Sequence, residues 1–227
     1  MSYGPLKASV SSLFYVDNFE LLLVGTGGHV ELFDLKESRS LQTLPIFKNT
    51  THTPHGFVQE AVNEEAEFLR FIVYGGKFIR CIQLNVKEKQ LLEVESGRYE
   101  FSDWILDVCL WKKKIYAVTA HNEICVINKV QEERLDTKEI VLKPNEKCIL
   151  YSACIVCDNP NELAIIGGTV FKQVIVYSCT GSEESDLTVS HRLDGHEGVI
   201  FDLQYHKESS LICSTSDDRT VSILKLL

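Results

Sequence analysis

The sequence has little positive charge relative to its negative charge, with 23 Lys and Arg against 32 Asp and Glu in 227 residues and a net charge of −9. Sequence-independent binding to nucleic acid draws its free energy from Lys and Arg, which release counterions from the phosphate backbone. The charge balance therefore argues against a DNA partner and against autonomous binding to RNA. The hydrophobic content of 44% still allows one globular unit with a substantial core.

Long apolar runs and a targeting segment are also missing. No run reaches the length of about 18 apolar residues that a membrane-spanning helix needs. Residues 1–5 lack the basic region and apolar stretch of a secretory signal peptide. We therefore expect no membrane partner and a cytosolic or nuclear protein, with the cytoplasm as the predicted localisation.

The eight cysteines form no clear metal-binding or disulfide pattern. Most are flanked by Ile, Val or Leu, where a free thiol behaves as a small hydrophobe in a reducing compartment. These are Cys81, Cys109, Cys125, Cys154 and Cys213. The close pair Cys154 and Cys157 has zinc-ligand spacing, but it lies in a strand-like stretch, where residues three apart point to opposite faces. We expect no metal there.

A glycine-rich cofactor loop between a strand and a helix is absent too. The nearest candidate, Gly-Thr-Gly-Gly at 25–28, lies between two predicted strands and is followed by no helix. It predicts a hairpin turn and no bound cofactor. His52 and His55 have no acidic or thiol partner nearby, which favours a loop over a metal site.

What the sequence does contain is a series of short runs rich in Val, Ile, Phe and Tyr, which is typical of β-strands. Five of these runs follow a central turn and align with one another: Val-Glu-Leu-Phe at 30–33, Ile-Arg-Cys-Ile at 79–82, Ile-Cys-Val-Ile at 124–127, Val-Ile-Val-Tyr at 174–177 and Val-Ser-Ile-Leu at 221–224. Their last residues are roughly 49, 45, 50 and 47 residues apart, near the period of one four-stranded propeller blade. The sequence therefore predicts an all-β propeller of about five blades.

The fifth unit carries the most specific motif. A Gly-His pair ending at His196 precedes one predicted strand, and a Ser-rich strand containing Ser214 and Ser216 leads into an Asp-Arg-Thr-Val turn that begins at Asp218. This pattern resembles a WD40 repeat, in which a His, a hydroxyl, the turn Asp and a Trp form a chain of hydrogen bonds. The resemblance gives His196, Asp218 and one of the two serines a structural role, whereas Leu224 stands at the Trp position.

The repeats are degenerate, because no unit has the Trp-Asp pair. The equivalent positions hold Phe33-Asp34, Ile82-Gln83, Ile127-Asn128, Tyr177-Ser178 and Leu224-Lys225. We expect a single WD40-type β-propeller domain over 1–227, with approximate units at 8–50, 51–98, 99–143, 144–192 and 193–227. Such rings usually have seven blades and the last unit stops on its third strand, so we expect an incomplete or truncated propeller, with a genuine small propeller as the alternative.

Further stretches are similar to the amino-terminal region of the WD repeat-containing protein six family: His-Gly-Phe at 55–57, Ser-Asp-Trp-Ile at 102–105, Tyr-Ser-Ala-Cys at 151–154 and residues 195–226. This resemblance implies a non-catalytic scaffold or regulatory subunit for 2′-O-ribose methylation at the anticodon wobble nucleotide of tRNA. The implied partner is an FtsJ-like tRNA 2′-O-ribose methyltransferase, which would bind the methyl donor, and tRNA would be contacted indirectly.

Two aromatic residues and a lysine run are candidates for the partner surface. Trp104 and Trp111 lie seven residues apart in one predicted strand, so they face opposite sides and one is expected on an interaction surface. Lys112, Lys113 and Lys114 are expected in a solvated hairpin turn, with a contact to RNA phosphate as the alternative.

Catalysis by this chain is not expected. Asp107 has no second carboxylate, His or nucleophile at the spacing of a known catalytic site. The alternative to the tRNA-modification scaffold is a general protein-interaction adaptor in signalling or endosomal traffic.

Overall fold

The computed structural model describes residues 6, 8–47, 51–60, 67–111, 113–130, 134–144, 148–159, 162–180 and 188–225. Most of the described residues lie in β-strands. Within the described ranges the only helical element is a 3₁₀ turn over Lys207–Ser209. No helix in this part of the chain is long and apolar enough to cross a membrane.

The strands form five antiparallel sheets, in each of which neighbouring strands follow one another along the chain. The first sheet contains β1 (Val10–Val16), β2 (Leu21–Thr26), β3 (His29–Asp34) and β4 (Arg39–Pro45). The second contains β5 (Gly56–Gln59), β6 (Phe68–Gly75), β7 (Phe78–Asn85) and β8 (Gln90–Glu100). The third contains β9 (Ile105–Trp111), β10 (Lys114–Thr119), β11 (Ile124–Val130) and β12 (Arg134–Leu142). The fourth contains β13 (Leu150–Asn159), β14 (Glu162–Thr169), β15 (Val174–Thr180) and β16 (Thr188–Leu193), and the fifth contains β17 (Ile200–His206), β18 (Leu211–Ser216) and β19 (Val221–Lys225).

The predicted repeat is confirmed as an all-β, WD40-type arrangement. Each of the five aligned runs forms the third strand of its sheet, namely β3, β7, β11, β15 and β19. The Gly-Thr-Gly-Gly stretch forms the hairpin between β2 and β3. Division of the chain into a single domain with five units stays a prediction.

Two compact units can be distinguished in the chain, one containing Met1–Trp104 with Lys129–Thr137 and the other Ile105–Asn128 with Lys138–Leu227. In the first unit β1 lies beside β5, and in the second β13 lies beside both β9 and β17. Within each unit, therefore, the first strands of consecutive sheets are neighbours.

The third strands of the first four sheets are largely apolar because residues on both of their faces are buried, whereas Val221 and Ile223 of β19 are exposed. In β15, Val174 and Val176 pack with Ile200 and other residues of the fifth sheet. Ile175 and Tyr177, which alternate with them, pack in the cluster of β9 to β11 side chains. Burial of both strand faces therefore explains why these runs are apolar at successive positions. A strand with one solvent-exposed face would alternate apolar and polar residues.

The central hairpins all place one residue in the left-handed backbone region, which glycine and asparagine adopt most readily. Gly27, Gly76 and Asn122 occupy this position in the first three sheets, with φ of 52°, 57° and 63°. Lys172 and Arg219 occupy it in the last two, with φ of 75° and 69°. In the first three turns the residue at this position itself favours the left-handed geometry, whereas Lys172 and Arg219 adopt it without such a preference.

Candidate functional site

His196 lies at the centre of a hydrogen-bonded group in the fifth sheet. Its Nε2 is 2.8 Å from Ser214 Oγ on β18, and its Nδ1 is 3.0 Å from Asp218 Oδ2 in the β18–β19 turn. Because an ionised carboxylate only accepts hydrogen bonds, Nδ1–H is assigned as the donor to Asp218 and Nε2 as the acceptor from the Ser214 hydroxyl. The group links the segment before β17 to β18 and to the turn that follows.

Asp218 is held by donors from several neighbours. Its carboxylate accepts from the backbone N–H of Glu197 at 2.7 Å, the backbone N–H of Thr220 at 2.8 Å and Thr220 Oγ1 at 2.6 Å. The Thr220 hydroxyl, the backbone donors and His196 together lower the pKa of Asp218 well below its ordinary value, against an opposing contribution from burial. Asp218 is therefore anionic at neutral pH.

The sequence left two serines open as the hydroxyl partner, and the structure distinguishes them. Ser214 contacts the His196 ring, whereas Ser216 Oγ accepts from the backbone N–H of Asp218 at 3.2 Å. Leu224, at the Trp position of a WD40 repeat, packs against the apolar cluster around Ile200. That this group stabilises the sheet stays a prediction.

The serine, histidine and aspartate have the connectivity of a hydrolase triad, but their burial points to a different use. Ser214 has no exposed surface and His196 is 7% exposed. A nucleophilic hydroxyl must reach a substrate carbonyl, and this one is enclosed. The arrangement can cross-link β18 and its turn, and it offers no accessible nucleophile.

A serine hydrogen bond, which the sequence did not reveal, joins neighbouring sheets within each unit. Ser12 Oγ on β1 donates to the Pro54 carbonyl at 2.7 Å, and Ser152 Oγ on β13 donates to the Ile200 carbonyl at 3.0 Å. Each serine stands opposite a glycine of the adjacent strand, Gly25 or Gly168. The only sequence signal for these contacts is a serine and a glycine at equivalent positions of two degenerate repeats.

The room for each serine depends on its glycine. A Cβ at Gly25 would lie 2.3 Å from Ser12 Oγ, and one at Gly168 would lie 2.4 Å from Ser152 Oγ. Neither approach is possible unless the serine side chain or its neighbours move. The absence of a side chain at each glycine therefore makes room for the serine on the adjacent strand.

Asp107 is another contact between sheets of the second unit. Its Oδ2 accepts from the backbone N–H of Ile155 on β13 at 2.7 Å. This carboxylate, which in isolation would suggest an acid catalyst, therefore joins β9 to β13.

Cys154 and Cys157 lie on opposite faces of β13, as strand geometry predicts. Cys154 packs toward the fifth sheet and Cys157 toward the cluster that contains Cys109. Burial raises the pKa of Cys154 to about 12. Among the described residues, no group of three His, Cys, Asp or Glu side chains could hold a metal ion.

The predicted partner-surface residues separate in the structure. Trp104 precedes β9 and is 54% exposed, whereas Trp111 at the end of β9 is 9% exposed and contacts the Tyr116 ring at 5.5 Å. Trp111 lies in the core because its side chain packs in the cluster of β9 to β11, and a partner contact at Trp104 or at the lysines stays a prediction. Lys113 is exposed and Lys114 begins β10, while Lys112 lies outside the described residues.

The chain is similar to proteins named tRNA (34-2′-O)-methyltransferase regulator WDR6. It is 28% identical to that of Homo sapiens over 212 residues, covering 90% of this chain and 19% of the human protein. The Bos taurus protein is 27% identical over 214 residues, with 91% and 19% covered, and the Drosophila melanogaster protein is 27% identical over 118 residues, with 48% and 12% covered. The chain thus spans about a fifth of the length of the first two relatives. No protein-family profile matches it. The resemblance indicated by the sequence motifs is confirmed.

Proposed function

We propose that this chain acts as a non-catalytic scaffold in tRNA 2′-O-ribose methylation at the wobble nucleotide, together with an FtsJ-like methyltransferase in the cytoplasm. The observation that carries the proposal is its similarity, over 90% of its length, to a protein named as a regulator of a tRNA (34-2′-O)-methyltransferase. A regulator acts on an enzyme, so the catalytic groups and the methyl donor would belong to the partner.

The chemistry of the chain is compatible with this division of labour. The Ser214 hydroxyl is enclosed, and Asp107 is occupied by a backbone N–H of the neighbouring sheet. The net charge of −9 disfavours independent binding to the tRNA backbone, so tRNA would be contacted through the partner. A scaffold of this kind accelerates the reaction by fixing the orientation of enzyme and substrate.

The test is a reconstitution with the purified chain, an FtsJ-like methyltransferase and a substrate tRNA in every combination, with a labelled methyl donor. We expect methyl transfer only where the methyltransferase is present, and a higher rate where the chain is added. Methyl transfer by the chain alone would contradict the scaffold role. If the chain leaves the rate unchanged and does not co-purify with the enzyme, the general interaction adaptor becomes the better account.

A further inference from the structure

Four aromatic rings and one guanidinium form a continuous series of contacts in the first unit. The exposed Trp104 ring meets His52 with centroids 6.5 Å apart, and His52 meets Phe78 at 5.0 Å. Phe78 in turn lies 6.2 Å from Phe47. The guanidinium carbon of Arg80 on β7 lies 5.2 Å from the Phe78 centroid and 5.9 Å from that of Phe47. The series runs from the surface to a half-buried cation.

All members of this series except Trp104 line a cavity of about 520 Å³. Pro45 and Ile46 add apolar walls to the rings, and the charged side chains lining it are Arg80, Glu93 and Arg98. The cavity is large enough for two side chains of an extended segment, and its mixture of aromatic walls with a few charges is typical of ligand sites.

The charges in the cavity are unevenly paired. Arg98 donates from Nε and Nη2 to the two Glu93 oxygens at 2.9 and 2.8 Å. Arg80 Nε is 3.8 Å from Glu93, beyond hydrogen-bond length, and its Nη1 donates to the backbone carbonyl of Ile79 at 2.7 Å. One carboxylate thus faces two guanidinium groups, and it is engaged with Arg98.

Arg80 has a side chain that is only 17% exposed. Burial lowers the pKa of its guanidinium, because removal from water disfavours the charged form. Glu93 and Glu100 both favour the charged guanidinium, whereas burial and Arg98 oppose it, and a carboxylate inserted into the cavity would add to the favourable interactions.

We infer that this cavity is a docking site for a partner protein, which inserts an acidic side chain beside an adjacent aromatic or large apolar one. A carboxylate accepts hydrogen bonds from arginine in a planar, charge-assisted geometry, and the neighbouring side chain packs against the rings of Phe47 and Phe78. Trp104, whose ring contacts His52 of the cavity lining, has the exposure and chemistry of an interface anchor.

The charge favours a protein segment over nucleic acid. The cavity carries two cations and one anion in a chain of net charge −9, whereas affinity for a phosphate backbone rises with the number of Lys and Arg that contact it. The site does not depend on the proposed function, since it is defined by residues of the first unit alone.

The experiment uses labelled synthetic peptides that contain an Asp-Phe or Glu-Trp pair, together with the same peptides carrying Asn or Gln in place of the acid. Fluorescence anisotropy with the full chain should show binding of the acidic peptides that is about tenfold or more tighter than that of the amides, as expected for a charge-assisted hydrogen bond. Equal binding of the two sets, or no binding of either, would overturn the proposal.

Two substitutions should act in opposite directions on this binding. Arg80→Gln should weaken it about tenfold, because the cation that meets the carboxylate is removed. Glu93→Gln should strengthen it, because the competing carboxylate is removed. A purely structural role for these residues would lower thermal stability in both variants without opposite changes in affinity, and that result would count against the site.

Trp104→Ala should also weaken binding, and this exposed residue can be replaced without disturbing the core. Its matched control is Phe171→Ala, an aromatic residue of the other unit that is 64% exposed and should leave the affinity unchanged. A single-stranded RNA oligonucleotide is measured in parallel. If RNA bound and lost affinity in both the Arg80 and Trp104 variants, the surface would be a nucleic-acid site and the peptide proposal would be wrong.

Discussion

Replacement of His196 by Ala tests whether the hydrogen-bonded group of the fifth sheet stabilises the fold. The ring is the shared partner of Ser214 and Asp218, so its removal affects both. Asp218 retains donors from the backbone N–H groups of Glu197 and Thr220. The Ser214 hydroxyl, which has no exposed surface, loses the acceptor that the ring supplies.

The decrease in unfolding free energy should therefore come mainly from one buried hydroxyl that is left without its acceptor. An unsatisfied buried polar group costs roughly 1 to 3 kcal/mol, and we expect the lower half of this range because Asp218 remains hydrogen-bonded. Ser214→Ala in the same chain removes the orphaned hydroxyl, so the double variant should cost less than the sum of the two single variants. Non-additivity of this sign is the signature of a direct hydrogen bond.

Urea unfolding and amide hydrogen exchange of β18 provide the measurements. The matched control is His206→Ala, since His206 belongs to the same sheet but is exposed and contacts only Ser209 in the described hydrogen bonds, at 2.8 Å. The unfolding free energy of this control should change by no more than about 0.5 kcal/mol. Strict additivity of the His196 and Ser214 variants, or unchanged exchange in β18, would refute the reasoning.

Four further variants test the remaining contacts and the two tryptophans. Gly168→Ala places a methyl group against Ser152 and should cost about 1 to 3 kcal/mol of unfolding free energy by overpacking, which an unchanged urea midpoint would contradict. Since the pKa of Asp218 is lowered in the folded state, its stabilisation is present above the unfolded value of about 4 and lost as the pH falls toward the folded value. The stability gap between the native chain and Asp218→Asn should accordingly shrink between about pH 5 and pH 2, and a constant gap would show that the carboxylate charge is irrelevant. Trp111→Ala should cost about 3 to 5 kcal/mol, because a buried ring is removed. Trp104→Ala should change stability by no more than about 0.5 kcal/mol, and similar thermal shifts in the two tryptophan variants would contradict the assignment of core and surface.

Most of the strand pattern could be predicted from local sequence. The run at 174–177 is apolar throughout because β15 is covered on both faces, and the same reason makes the runs at 30–33 and 124–127 recognisable. The turn at Gly76 was signalled by glycine, whereas the equivalent turn at Lys172 adopts the same left-handed geometry without a compositional signal. Tertiary context overrides residue preference there.

The side-chain contacts of the candidate sites were harder to predict, because they join residues that are far apart in the sequence. The Gly-His and Asp-Arg-Thr-Val motifs were enough to predict that His196 and Asp218 meet, because a family resemblance carried the pairing. The choice of Ser214 over Ser216 was not available, since the two residues are two positions apart and project from the same face of β18. The two tryptophans were placed in one strand by the sequence, whereas Trp104 lies just before β9, so its exposure depends on the tertiary structure and not on strand periodicity.

The sequence alone determined the all-β class, the repeat period and the hairpin order, because these follow from alternation and turn residues within about 50 positions. Only the tertiary structure decided which side chains join neighbouring sheets, such as Ser152 with the Ile200 carbonyl and Asp107 with the Ile155 N–H. It also decided that Arg98 pairs closely with Glu93 while Arg80 lies farther away among aromatic rings. Such contacts depend on the register and packing of separate strands, and burial and partner geometry of this kind have no signature in a local run of residues.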